Sequence, residues 1–173
     1  SIGFVFIWIT HYFNRTIIYP LRIKTKGKKI PIAIVASAFF FNLINGFLNG
    51  YFISLINFES LSFTYIISGL LMFIIGFYVN VSSDNKLIKL RTNQKDYVIP
   101  KGGLFNYVSC PNFLGEIIEW LGFAIMTLNL GSTSFLIWTI CNLIPRSKAH
   151  HKWYKENFEK YPTTRKAVIP YLL

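Results

Sequence analysis

Long apolar runs alternate along this chain with short polar connections. Apolar segments cover residues 30–56, 61–81, 113–130 and 132–144, and an opening run, SIGFVFIWIT, stops at His11. The first three of the four are long enough to cross a hydrocarbon layer of about 30 Å, which takes about 20 helical residues. The fourth is short by itself and gains length by continuing through Pro145 or by tilting among its neighbours. The opening run, about ten residues, is too short to span. It also lacks the basic flank of a signal peptide. It reads as the end of a spanning helix that begins before Ser1, so the chain is expected to be truncated at its N-terminus. The pattern predicts an all-α, polytopic membrane bundle with about five spanning helices. With no internal repeat or low-complexity stretch, residues 1–173 are expected to form a single membrane-embedded domain.

Composition and charge sharpen this picture. The chain is 53% hydrophobic and 18% aromatic, with 17 Phe, more apolar surface than a soluble globule can hide. All 18 Lys and Arg fall into three clusters, 15–29, 86–101 and 146–166, whereas the connections NFES (57–60) and NLGSTS (129–134) carry none. Five crossings put all three clusters on one side, as cytoplasmic flanks require. A buried soluble helical bundle does not explain that alternation. The net charge of +11 suits anionic lipid or a phosphorylated cofactor, and nucleic acid is not expected as a partner in so apolar a chain. No obligate protein partner is evident. Cys110 and Cys141 form no CxxC pair or disulfide framework. His150 and His151 are adjacent, so on a helix they point about 100° apart and chelate a metal poorly.

Four polar constellations have helical spacing. Asn112, Glu116 and Glu119 lie four and seven residues apart in PNFLGEIIEW, inside otherwise apolar sequence. The dipole of a helix starting near Pro111 accounts for Glu116 but poorly for Glu119, since acids at a bilayer edge require polar partners or a ligand. Tyr12, Arg15 and Tyr19 stand three and seven apart in HYFNRTIIY. Asn80, Asp84 and Arg91 stand four and eleven apart after the segment 61–81, near one face if that helix continues, and Arg146, His150 and Tyr154 follow the last segment at successive steps of four. Each has an ordinary reading: Arg15 snorkels, Tyr12 and Tyr19 anchor at the interface, Asp84 caps or pairs with a lysine. Their coincidence on the basic side of the membrane predicts a polar pocket opening to the cytoplasm. The loop at 97–112 adds Pro100, Gly102 and Gly103, which permit close backbone approach to a phosphate before a helix N-terminus. There is neither a Rossmann GxGxxG nor a P-loop, so a nucleotide would bind between membrane helices.

IPKGGLFNYVSCPNFLGEIIEW (99–120) and HHKWYKENFEKYPTTRKAVIPYLL (150–173) resemble the C-terminal domain of steroid 5α-reductases, and HYFNRTIIYP (11–20) resembles that family's tyrosine motif. The resemblance covers essentially the whole chain. It implies a seven-helix membrane fold enclosing NADPH and a flat apolar substrate, a steroid or isoprenoid-like molecule. The reaction implied is NADPH-dependent reduction of the C4–C5 double bond of 3-oxo-4-ene steroids. By motif, Tyr12 would hydrogen-bond the ketone, helped by a glutamate on helices before Ser1. The cofactor-binding positions implied are Arg15, Lys28, Asn80, Asp84, Arg91, Asn112, Glu116, Arg146, His150 and Tyr154, while Glu119 would support neighbouring helices. Lys28, in GKKIP, stands where many relatives carry arginine, which makes a phosphate contact there monodentate. The resemblance also implies an integral membrane protein of the endoplasmic reticulum with a cytosolic C-terminus, or of the inner membrane if bacterial. Competing readings are a polyprenol or trans-2-enoyl-CoA reductase of the same family, or an isoprenylcysteine methyltransferase-like enzyme using S-adenosylmethionine. The run GGLFNYVSCPNFLGE argues against the last.

Overall fold

A computed structural model describes residues 2–23, 29–57, 59, 61–92 and 97–173, with the backbone of Asn93. Among them the regular elements are all helices, with no strand, and the loop leading to Pro111 and the C-terminal tail are irregular. The order is α1 (Ile2–Phe13), a wide π-type turn (Asn14–Ile18), α2 (Tyr19–Arg22), α3 (Ile32–Ser54), α4 (Phe63–Asn93), a short 3-10 turn (Gly103–Asn106), α5 (Pro111–Thr127) and α6 (Leu130–Asn157). The helical periodicity read from sequence is therefore met. α5 opens at Pro111, whose missing N–H is no loss at a first helical position. α4 continues past its apolar part to Asn93, which keeps Asn80, Asp84 and Arg91 on one helix. α6 runs unbroken through Pro145.

By length and composition two helices, Ile32–Ser54 and Phe63–Thr92, can cross a membrane. α5 has 17 residues, about 25 Å at 1.5 Å per residue, which falls short of the hydrocarbon layer. α1 is shorter still, and only the first half of α6 is apolar. The expected count of about five spans thus rests on helices that do not reach full length by themselves.

The framework of the bundle is the antiparallel pair α4 and α5. Gly69 and Gly76 are seven residues apart on α4, Gly115 and Gly122 seven apart on α5, so each pair lies on one helix face. A Cβ on Gly69 would sit 2.5 Å from Gly122 O, and one on Gly115 would sit 2.5 Å from the Asn80 nitrogen. Only glycine permits this backbone approach, the packing mode of helices that cannot use the hydrophobic effect against lipid. The close approach sets Asn80 and Asp84 of α4 directly against Asn112 of α5.

The aromatic core sits beside that seam. Trp120, Phe123 and Met126 of α5, Phe73 of α4 and Phe135 of α6 are buried together with Phe4 of α1 and Ile53 of α3. Trp120 meets Phe135 edge-on at 4.5 Å and His11 at 4.7 Å between ring centroids. Large apolar side chains on α1 and α3, among them Phe6, Phe39, Phe47 and Tyr51, remain exposed. At the polar end the tail folds back. Ser109 N donates to Lys166 O at 2.9 Å, Cys110 N to Ala167 O at 3.0 Å, and Lys166 N to Tyr107 O at 2.9 Å.

Candidate active site

The polar constellations converge because of two local features, the glycine seam and a break in the first helix. Pro20 has no N–H for the Thr16 carbonyl and its ring crowds that carbonyl, so a regular turn cannot pass there. The backbone widens into the π-type turn over Asn14–Ile18, a feature frequent at functional sites. Arg15 projects from this turn, with its guanidinium carbon 4.8 Å above the Tyr19 ring.

Arg15 is the hub of the cluster. Its Nη1 donates to Asp84 Oδ2 at 3.0 Å, and its Nη2 lies 3.9 Å from Glu116 Oε2. Asn112 Nδ2 donates to the other oxygen of Asp84 at 3.0 Å, and Asn80 Nδ2 donates to the Asn112 carbonyl at 3.0 Å. One cation thus faces two carboxylates, and Asp84 is held by a charge-assisted pair plus an amide. Glu116 is treated differently: its Oε2 is buried and has no hydrogen-bond partner. A buried acceptor without a donor is costly, so this atom is suited to a ligand hydroxyl or amide.

Five of the ten residues expected to bind a cofactor are therefore brought together: Arg15, Asn80, Asp84, Asn112 and Glu116. Arg91, Arg146, His150 and Tyr154 form a more open rim. The Arg91 guanidinium lies 5.9 Å from the Tyr97 ring centroid, and its charge reaches Tyr19, His150 and Tyr154. Burial, with Arg91 and Arg146 nearby, lowers the His150 pKa, so its ring tends to stay neutral. Burial pushes the Tyr154 phenol up to about 12, keeping it a hydrogen-bond donor, and its ring stacks on Tyr161 at 5.3 Å. Lys28 lies outside the described residues. In the glycine loop Gly102 and Gly103 have φ of 86° and 60°, which favour glycine. The Gly102 N–H is already engaged by Asn106 Oδ1 at 2.7 Å, and Lys86 Nζ donates to Gly102 O at 3.1 Å.

Tyr12 lies one turn before Arg15. Its ring is packed against Trp8 at 4.1 Å and Phe135 at 6.4 Å, and its hydroxyl is 2.9 Å from Asn45 Nδ2. Neighbouring His11 meets Glu119 at 2.8 Å, both fully enclosed. Glu119 therefore ties α1 to α5, the supporting role expected for it.

Sequence reasoning missed His11, Asn45 and Asn49, and a further cluster in which Ser109 Oγ is 2.6 Å from both His151 Nδ1 and Tyr161 OH. For Asn45 and Asn49 a signal existed: two amides four apart in an apolar helix share a face and need partners. For His11 and Glu119, 108 positions apart, no local spacing carried one.

Comparison with known proteins identifies the relatives of this chain. The family model described as 3-oxo-5-alpha-steroid 4-dehydrogenase matches residues 28–173. A protein named steroid 5-alpha-reductase DET2 from Arabidopsis thaliana is 46% identical, over 95% of this chain and 67% of its own length. Its namesake from Solanum lycopersicum is 43% identical, over 95% and 66%. The 3-oxo-5-alpha-steroid 4-dehydrogenase 1 of Mus musculus is 37% identical, over 96% and 67%. The chain spans about two thirds of the length of these relatives. With a family match over most of its residues and relatives at this identity, the chain belongs to the 3-oxo-5-alpha-steroid 4-dehydrogenase family.

Proposed function

We propose that this chain forms the reductase domain of a membrane enzyme that uses NADPH to reduce the C4–C5 double bond of 3-oxo-4-ene steroids. Its relatives are oxidoreductases acting on CH–CH groups. The observation that carries the reading is the placement of the Tyr12 hydroxyl on an aromatic shelf, one helical turn from the cluster of Arg15, Asp84 and Glu116. An aromatic shelf suits a flat apolar substrate, and a charged, hydrogen-bonding chamber beside it suits a nicotinamide nucleotide.

The residues present fit that cofactor. Glu116 would accept from a hydroxyl or the carboxamide through its unpartnered Oε2, with Asn80, Asp84 and Asn112 holding the neighbouring wall. Arg15, Arg91, Arg146 and Lys28 would meet phosphate charge, and His150 and Tyr154 would close the rim. When bound, NADPH supplies the hydride that reaches the β-carbon of the enone. Tyr12 donates a hydrogen bond to the ketone oxygen, where negative charge builds as the enolate forms, and the enolate then takes a proton from water at its α-carbon to complete the reduction. The surrounding Trp8, Trp120 and Phe135 keep water from that oxygen and strengthen the bond.

Mass spectrometry of nucleotide released from the purified protein tests the reading against its competitor. NADP is the expected result; S-adenosylmethionine would overturn it in favour of a methyltransferase. A polyprenol or trans-2-enoyl-CoA reduced in preference to a 4-en-3-one steroid would keep the cofactor and change the substrate.

The same proposal includes about five crossings, with the basic clusters cytosolic and the protein in the endoplasmic reticulum. α5, 17 residues long, crosses by tilting and by packing against α4, and α6, of which only the first half is apolar, crosses by packing against α5 and α3. Single cysteines at Asn57 and Thr133 should react with an impermeant reagent only from the lumenal face, and one at Lys29 only from the cytosol. Reaction of all three from one face would sink this topology.

A further inference from the structure

Asn45 and Asn49 are buried at 6% and 2% exposure on α3, a helix otherwise almost wholly apolar. Their hydrogen bonds can be oriented from one fixed point. Asn49 Nδ2 lies 3.0 Å from the backbone oxygen of Asn45, which only accepts, so that atom is the amide nitrogen. The same nitrogen is 2.9 Å from the side-chain oxygen of Asn45, which leaves Asn45 Nδ2 to face the Tyr12 hydroxyl at 2.9 Å. Asn45 therefore donates and the Tyr12 oxygen accepts. A phenol that accepts an N–H keeps its own proton for another partner, and no acceptor takes that proton among the described residues.

We propose that Asn45 is a positioning residue for carbonyl activation, with Asn49 locking its amide so that the Tyr12 proton is aimed at the substrate ketone. The proposal rests on the functional reading above and names residues that act through Tyr12 without touching substrate. A donor bound to the phenol oxygen does two things. It blocks the rotamer in which the hydroxyl proton would turn toward α3, and it polarises the O–H, because linked hydrogen bonds strengthen one another in a low-dielectric site. No proton has to pass along this line: Asn45 N–H, Tyr12 O–H and the ketone oxygen form one donor-to-acceptor line whose last member gains charge as the hydride arrives, and the enolate takes its α-carbon proton from water afterwards.

The test measures turnover of a 4-en-3-one steroid at saturating NADPH, with nucleotide affinity measured separately and the ketone C=O stretch of bound steroid read by infrared difference spectroscopy. Asn45→Ala should lower kcat about tenfold, the scale of one neutral hydrogen bond, with NADPH affinity unchanged and a smaller downshift of the ketone stretch. In a Tyr12→Phe background the same substitution should cost nothing further, because the group it orients is gone. Asn45→Asp keeps the shape but turns the donor into an acceptor that competes for the Tyr12 proton. It should be at least as slow as Asn45→Ala, and it guards against an alanine variant that merely misfolds. Equal losses in both backgrounds, near-normal turnover of Asn45→Asp, or a rise in steroid KM alone would assign Asn45 to packing and overturn the proposal. A ketone stretch unshifted in the unsubstituted protein, together with no steroid reduction, would instead overturn the functional reading itself.

Discussion

Replacing Tyr12 with phenylalanine should lower kcat for a 4-en-3-one steroid by about a hundredfold to a thousandfold, the usual cost of about 2.7 to 4 kcal/mol for losing one donor to a developing oxyanion. The ring contacts with Trp8, Trp120 and Phe135 survive the substitution, so the helix should keep its place. Cofactor affinity should change little, since the nearest charged groups of the proposed cofactor chamber belong to Arg15, Asp84 and Glu116. The loss should therefore appear in kcat and equally in kcat/KM, the signature of an interaction made in the transition state. An interfacial tyrosine that only anchors its helix would show almost no change in NADPH oxidation. Near-normal turnover, with binding verified, would remove Tyr12 from the chemistry.

The second large effect separates two glutamates three residues apart. Glu116→Gln should weaken NADPH binding by roughly tenfold to a hundredfold, since a hydrogen bond involving a charged group is worth about 1.5 to 3 kcal/mol. Thermal stability should hardly move, because Glu116 Oε2 has no hydrogen-bond partner in the chain itself and its nearest cation is 3.9 Å away. Glu119→Leu should do the reverse. It removes the acceptor of His11 at 2.8 Å in a buried place, leaving a buried donor unsatisfied at a cost of about 1–3 kcal/mol of stability. Measured by nucleotide titration and by melting of the same two variants, the effects should cross over. Parallel losses in both readouts would mean that the two carboxylates share one role.

Much of the architecture was legible in the sequence because membrane helices announce themselves locally. Apolar length located α3 and α4, and a proline marked the start of α5, before any contact was known. Helical spacing alone gathered Asn80 with Asp84 and Asn112 with Glu116, because residues four apart share a face whatever surrounds them. The motifs around Tyr12, Asn112 and Glu116 carried the family.

The partners across helices were decided only by tertiary structure. Arg15 and Asp84 are 69 positions apart, His11 and Glu119 are 108 apart, and nothing in their local patterns pairs them. Their meeting depends on how closely α4 approaches α5, which the glycines at 69, 76, 115 and 122 permit but do not announce. It depends also on the wide turn at Asn14–Ile18, which changes the direction of Arg15 relative to Tyr12 in a way the regular 100° step could not foretell. The amides of Asn45 and Asn49 were visible as polar residues in an apolar helix, but which hydroxyl they serve is a matter of rotation and depth. Sequence periodicity specifies the face of a single helix, whereas the relative rotation of two helices follows from side-chain packing summed over their whole contact, a quantity no local window contains.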